Sequence, residues 1–173
     1  AGVQMLCNGN GHNRVVCGTP WPQLTAMLGG GMRAGQTTGV LAPSGVGKTT
    51  VVNHWAIHVA HAEGVKVGII SMEGDREELD TNITQTIFGC TGFETTSTEF
   101  AQLAEHVMVS ELEGHKVPWQ SVVQEAAAMI DNGAVLVVVD NLDFIMPRNN
   151  DRVHDIKSEA YAAIIELARK SHS

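Results

Sequence analysis

Residues 42–49, A-P-S-G-V-G-K-T, contain the residue types that bind phosphate groups. A phosphate-binding loop follows the pattern G-x-x-x-x-G-K-S/T, and here Ala42 takes the first position. Small residues let the backbone turn sharply, so that successive N–H groups converge on an anion at the start of a helix. Lys48 would reach the outer phosphate oxygens, and the Thr49 hydroxyl would bind Mg²⁺. The predicted nucleotide-binding residues are Ser44, Gly45, Val46, Gly47, Lys48, Thr49 and Thr50.

The segments on either side of this loop have the order that the pattern requires. Residues 37–42, TTGVLA, are short, apolar and rich in strand-forming types, and they predict a strand. Residues 48–64 predict a helix that ends at Gly64. A glycine-rich turn unrelated to nucleotides is the alternative, but the strand–loop–helix order favours a site for a nucleoside triphosphate.

An acidic residue at the end of an apolar run gives the second element of such a site. Residues 134–140, AVLVVVD, predict a strand buried on both faces of a parallel sheet. Asp140 would then lie at the carboxyl end of that strand, where α/β folds bind their ligands. A carboxylate there can bind Mg²⁺ through its water shell, whereas the alternative is a solvated acid at a strand end.

Glu73 directly follows another predicted strand, residues 66–72. Asp75 and Glu78 form the capping box of the next predicted helix, so Glu73 is not needed for that cap. A carboxylate beside the loop could orient and deprotonate a water that attacks the γ-phosphate, which favours hydrolysis over transfer. The alternative for Glu73 is a solvated loop acid.

Strands and helices alternate along the rest of the chain. We therefore predict one three-layer α/β domain of the P-loop NTPase type, with a mainly parallel central sheet. The other predicted segments are a helix at 75–89, a short helix that runs into a strand at 101–112, and helices at 118–133 and 151–170.

Three segments, TPWPQLTAMLGGGMRAGQTTGVLAPSGVGKTT, ISMEG and VVVDNLDFIM, together resemble the RecA-like motor domain of replicative hexameric DNA helicases. The phage primase-helicase and mitochondrial Twinkle branch is the most similar, with the DnaB type more distant. The resemblance implies a RecA-like ATPase core at residues 19–173 after an N-terminal extension at residues 1–18. It also implies ATP or another NTP with Mg²⁺, a ring-shaped homo-oligomer (a hexamer), single-stranded DNA as a partner, and a possible attached primase module.

Site roles follow from the same resemblance. Lys48 and Thr49 would bind phosphate and Mg²⁺, Glu73 would be the catalytic base, and Asp140 the acid associated with Mg²⁺. In these helicases the loop after that acid lines the pore and touches DNA. The corresponding basic residues are Arg148, Arg152 and Lys157. Two neighbouring aspartates dilute their charge, so a plain polar loop is the alternative.

The helicases that the chain resembles continue beyond the last helix with a phosphate-sensing strand and an arginine finger. We expect both to lie beyond Ser173, so that the 173-residue chain binds nucleotide but hydrolyses it slowly. Two other functions stay open. One is a RecA-fold ATPase of recombination, repair or signalling, and the other is a fragment that binds nucleotide without turnover.

Composition limits the other classes. The net charge of −8 argues against a broad nucleic-acid-binding face, so any DNA contact must be local. No apolar run approaches the length of a membrane span, and we expect an intracellular protein, cytoplasmic rather than mitochondrial. Two metal sites are weaker alternatives to ordinary side chains. One comprises Cys7, His12 and Cys17, and the other comprises His54, His58 and His61.

Overall fold

The computed structural model describes residues 2–7, 15–72, 81, 84–85, 97–112, 117–142 and 153–170. In chain order the elements are β1 (Gly2–Cys7), β2 (Val15–Cys17), α1 (Pro22–Met27), β3 (Met32–Arg33), β4 (Thr37–Leu41), α2 (Lys48–Glu63), β5 (Lys66–Ser71), α3 (Ser97–Glu105), β6 (Val107–Glu111), α4 (Trp119–Asp131), β7 (Ala134–Asp140) and α5 (Val153–Lys170). The predicted α/β class is confirmed.

Five strands form the central sheet in the order β4-β1-β7-β5-β6. β5 is parallel to both β6 and β7, whereas β1 is antiparallel to its two neighbours β4 and β7. Consequently β4 runs in the same direction as β7, and four of the five strands share one direction. The carboxyl ends of β4, β7 and β5 therefore meet at one edge of the sheet. β2 and β3 form a separate two-stranded sheet.

Helices cover both faces of the sheet, because its strands carry apolar side chains on both sides. On one face, Leu136 and Val138 of β7 belong to the apolar cluster that includes the buried side of α2. On the other face, Val137 and Val139 belong to the cluster that includes α4 and α5. This arrangement gives three layers, with α2 on one side and α4 and α5 on the other.

β1 is the strand of the central sheet that sequence reasoning did not identify. It lies in the segment assigned to an N-terminal extension, yet all six of its residues are buried in the middle of the sheet. Val3 and Met5 pack in the cluster on the α2 side, and Leu6 packs in the cluster on the other side. Residues 2–7 are therefore part of the core.

The predicted helix ends agree with the structure to within a few residues. α2 ends where Gly64 adopts the left-handed conformation, with φ of 61°. α4 spans Trp119–Asp131, slightly shorter than the predicted 118–133, and α3 begins at Ser97, four residues earlier than predicted. Of the helix predicted at 75–89, only residues 81, 84 and 85 are described, and they are helical.

Candidate nucleotide site

The loop between β4 and α2 has a backbone that only glycine adopts without strain. Gly45 and Gly47 have φ of 76° and 89°. A Cβ atom built on either residue would meet nothing within 4 Å. Residues 43–47 are exposed to solvent. The loop therefore takes its shape from its own backbone, and it is open to solvent on the side from which an anionic ligand could approach its N–H groups.

Lys48 is the first residue of α2, and its side chain folds back over the loop. Its Nζ donates a hydrogen bond to the Pro43 carbonyl oxygen at 2.8 Å, and only 9% of the residue is exposed. This contact holds a positive charge at the mouth of the loop. The ammonium group keeps further donors for phosphate oxygens, because it carries three N–H bonds and one is used here.

Backbone N–H groups at the start of α2 complete the anion site. The Val51 N–H donates to the Gly47 carbonyl at 3.0 Å, as the helical pattern requires. The N–H groups of residues 48–50 lie in the first turn of α2, where backbone N–H groups have no carbonyl partner within the helix. Together with the helix dipole they favour a negatively charged group at this position. Thr49 is half-buried there, and Thr50 is exposed.

Asp140 ends β7 and lies on the same side of the sheet as α2. Side chains alternate along a strand, and Leu136 and Val138 face the cluster that contains α2, so Asp140 faces that side as well. It is 4% exposed. Its carbonyl accepts a hydrogen bond from the Met72 N–H at 2.8 Å, which joins the ends of β5 and β7. The peptide bond to Asn141 is cis.

β1 separates the two halves of the site. β4, which leads into the loop, and β7, which ends at Asp140, both pair with it. Two inter-strand spacings place the ends of β4 and β7 roughly 9–10 Å apart. The hydroxyl of Thr49 and the carboxylate of Asp140 are the hard oxygen ligands that Mg²⁺ prefers. The described residues therefore fit a Mg²⁺–nucleotide complex.

Several predicted site residues are not among those that the structure describes. Glu73, Arg148 and Arg152 lie outside the described ranges and stay predictions. Lys157 is described: it lies in the second turn of α5 and is half-buried.

Of the two alternative metal sites, only the histidine site consists entirely of residues that the structure describes. Across the residues that the structure describes, no group of three or more histidine, cysteine, aspartate or glutamate side chains could hold a metal ion. Among the three histidines of α2, His54 stacks on Trp21 with ring centroids 5.7 Å apart. His54 therefore has a packing role. His12, which belongs to the other alternative site, lies outside the described ranges.

Cys7 and Cys17 are free thiols, and both are buried. A hydrogen bond with Cys7 and burial raise the pKa of Cys17 far above its ordinary range.

Sequence reasoning also missed the contact that fixes the segment before the loop. The Trp55 indole N–H of α2 donates to the Gly18 carbonyl at 2.9 Å, and the Trp21 ring meets the Trp55 ring edge-on. These contacts anchor the segment that begins at Gly18 to the helix that carries Lys48. A buried tryptophan in a helix was the only signal for this contact in the sequence.

An α/β domain defines a P-loop NTPase when it has a phosphate loop whose backbone requires glycine, a buried lysine after that loop and an aspartate at the end of a strand. A family model described as an AAA domain matches residues 18–172, and the chain belongs to that family. The family consists of P-loop ATPases, which generally use ATP and Mg²⁺. No curated protein matches the chain. Within the described part, no helix combines the length and apolarity that crossing a bilayer requires.

Proposed function

We propose that this chain is the ATP-hydrolysing motor domain of a DNA helicase of the replicative hexameric type. In this proposal it couples NTP hydrolysis to translocation on single-stranded DNA. The observation that carries the ATPase part is the position of Asp140. It lies at the same sheet edge as the phosphate loop and faces the same side as α2. The helicase part is supported by the sequence resemblance.

The described residues divide the work of binding. The loop N–H groups and Lys48 bind the β- and γ-phosphates, and they neutralise the charge that develops on them. Thr49 and Asp140 would hold Mg²⁺, and the bound ion would stabilise the negative charge of the phosphate oxygens.

Glu73 is proposed as the general base. It follows Met72 in the sequence, and the Met72 N–H donates a hydrogen bond to the Asp140 carbonyl. Its carboxylate would take a proton from a water as that water attacks the γ-phosphorus. The products are ADP and inorganic phosphate, and the proton passes from Glu73 to solvent.

The partners follow from the motor proposal. Single-stranded DNA would be bound locally by Arg148, Arg152 and Lys157, because the net charge of −8 argues against a broad basic face. A ring of identical subunits, a hexamer, would surround the strand, and a primase module is a possible attached partner. The proposal places the protein in the cytoplasm of a bacterium or of a phage-infected host, in preference to a mitochondrion.

Steady-state ATP hydrolysis with and without single-stranded DNA tests the function. Glu73→Gln should retain ATP binding while turnover falls about 10²–10⁴-fold, because general-base catalysis contributes that much. Glu63→Gln, at the far end of α2, is the matched control and should leave turnover unchanged. Turnover that DNA does not stimulate would favour a RecA-fold ATPase with another task. ATP binding without any turnover would favour a binding fragment.

The DNA contact can be tested with a lysine variant and a matched lysine control. Lys157→Ala should lower the slope of log affinity against log salt by about 0.7, the value for one phosphate contact on a single strand. Lys66→Ala removes a lysine from the amino end of β5, the opposite end of the sheet, and should not change the slope. Equal slopes for both variants would remove Lys157 from the DNA site.

A further inference from the structure

β1 connects the two halves of the nucleotide site. Within the described residues, β4 pairs with β1 alone in the central sheet, and β1 pairs with β7 on its other side. The strand that leads into the phosphate loop therefore reaches the strand of Asp140 only through β1. β1 also lies outside residues 18–172, the part of the chain that matches the AAA domain family.

Gln4 occupies the central position of this connection. It is paired with Gly39 of β4 on one side and with Val139 of β7 on the other. Gly39 lies two residues before the end of β4, and Val139 directly precedes Asp140. The pairing of Gln4 thus fixes the register between the two strands that flank β1, with Gly39 of β4 aligned with Val139 of β7.

The side chain of Gln4 restricts this alignment further. A Cβ on Gly39 would lie 3.2 Å from the Gln4 Nε2 atom, so the amide lies directly over the glycine. Gln4 is 7% exposed. A Cβ on Gly2, at the start of the strand, would lie 2.8 Å from the Leu41 side chain and 3.6 Å from the Tyr161 hydroxyl of α5. β1 is therefore held between β4, β7 and α5.

We propose that β1 is a positioning strand of the nucleotide site, in which Gln4 sets the separation and level of the phosphate loop relative to Asp140. The inference rests on the proposed function, because it concerns the same Mg²⁺–nucleotide site. The loop binds phosphate with its own backbone and Lys48, whereas Mg²⁺ must be reached from both the loop helix and Asp140. Misplacing β4 against β7 should therefore weaken the contribution of Mg²⁺ more than the contribution of the loop.

The test compares ATP affinity in Mg²⁺ with ATP affinity in EDTA, measured by calorimetry on the full chain. Gln4→Pro removes a backbone donor from a strand with neighbours on both sides, a place where proline disrupts the ladder. The gain in affinity due to Mg²⁺ should fall about 10–100-fold, as for the loss of a group that orients metal ligands. Affinity in EDTA should change little.

Two further variants keep the test decisive. Ile164→Ala opens a cavity in the buried face of α5 without touching the strand pairing, and it should keep the full gain from Mg²⁺. Gln4→Gly retains the backbone donor, and it replaces Gln4→Pro if circular dichroism shows that the proline variant is unfolded. It should show a smaller loss of the same kind.

The outcomes separate this inference from the function on which it rests. If the unaltered chain does not bind ATP, or gains nothing from Mg²⁺, the nucleotide site itself is refuted, and the role of β1 with it. If the unaltered chain gains affinity from Mg²⁺ and every folded Gln4 variant keeps that gain, only the positioning role is refuted. An equal loss in Mg²⁺ and in EDTA would also overturn it, since β1 would then serve stability alone.

Discussion

The two halves of the nucleotide site are built in opposite ways. The phosphate loop is exposed, and a Cβ at Gly45 or Gly47 would contact nothing. Asp140 is 4% exposed and ends a strand whose last five residues are all buried. One half takes its shape from its own backbone, and the other takes its place from the packing around it.

This difference assigns different work to the two halves. A solvent-exposed loop can admit a ligand and bind its phosphates with little rearrangement of other elements. A buried carboxylate costs free energy to ionise unless a positive charge stands near it, so Asp140 is suited to a cation. The loop should therefore govern nucleotide binding as such, and Asp140 should govern the part of binding that depends on metal.

Replacing Lys48 should have the largest effect, because it removes the charge that the loop itself provides. A hydrogen bond to a charged group contributes about 1.5–3 kcal/mol, so losing two of them should weaken ATP binding about 10²–10⁴-fold. Calorimetry on Lys48→Ala should show this loss both with Mg²⁺ and in EDTA. Lys66→Ala is the matched control, and tight ATP binding by Lys48→Ala would refute the site.

Asp140→Asn should have a smaller and more selective effect. The amide keeps the size of the side chain but loses the negative charge, so the gain in ATP affinity due to Mg²⁺ should fall about 10–100-fold. Affinity in EDTA should not fall, because without Mg²⁺ a carboxylate near the phosphates can only repel them. An equal loss of ATP affinity in Mg²⁺ and in EDTA would show that Asp140 does not act through the metal alone.

The same contrast explains what the sequence could predict. The loop, the start of α2 at Lys48 and the end of α2 at Gly64 depend on local residue types, and the structure has them where the pattern predicts them. β7 was predicted with its observed bounds, because a continuous apolar run indicates a strand buried on both faces.

Long-range pairing was not predictable in the same way. Nothing in GVQMLC specifies that it pairs with residues 37–41 and 136–139, because those contacts depend on how the whole chain packs. Its glycine and glutamine also obscure the alternation that would mark a strand. The face on which Asp140 lies follows only from the strand register and from the side of the sheet that α2 covers.

Glycine substitutions at the two ends of α2 should separate conformation from function. Gly47 and Gly64 both have left-handed backbones with open space around them, so alanine should cost about 1–2 kcal/mol of unfolding free energy at either site. Only Gly47→Ala should also weaken ATP binding, because it adds a side chain inside the loop. Urea unfolding and calorimetry measure the two effects. Weaker ATP binding by Gly64→Ala would contradict the local character of the loop.

The smallest expected effect is a pH dependence that belongs to the α2 half. Burial lowers the pKa of His58 below its ordinary value, and the nearby His54 and His61 lower it further, while Glu63 acts in the opposite direction. Between the folded pKa and about 6.5 the unfolded chain binds more protons, so stability should fall with acidification in that range and be level above it.

Urea unfolding at a series of pH values can isolate this contribution. His58→Gln should flatten the slope in that range, since it removes the titrating group while retaining a polar side chain. Asp140→Asn should leave that part of the slope unchanged. An unaltered slope in His58→Gln would assign the effect to another group.

The pairing of β1 has a consequence for synthesis on the ribosome. Its partner β4 follows within the first 41 residues, but Cys7 is paired with Leu136, which is made much later. At about 5–20 residues per second, the time between the synthesis of Cys7 and that of Leu136 is roughly 6–26 s, and one edge of β1 is unpaired during it. During that interval an apolar strand edge is exposed on the nascent chain, which is a template for wrong pairing. The completion of β7 would thus cover this edge of β1 and at the same time supply the second half of the nucleotide site.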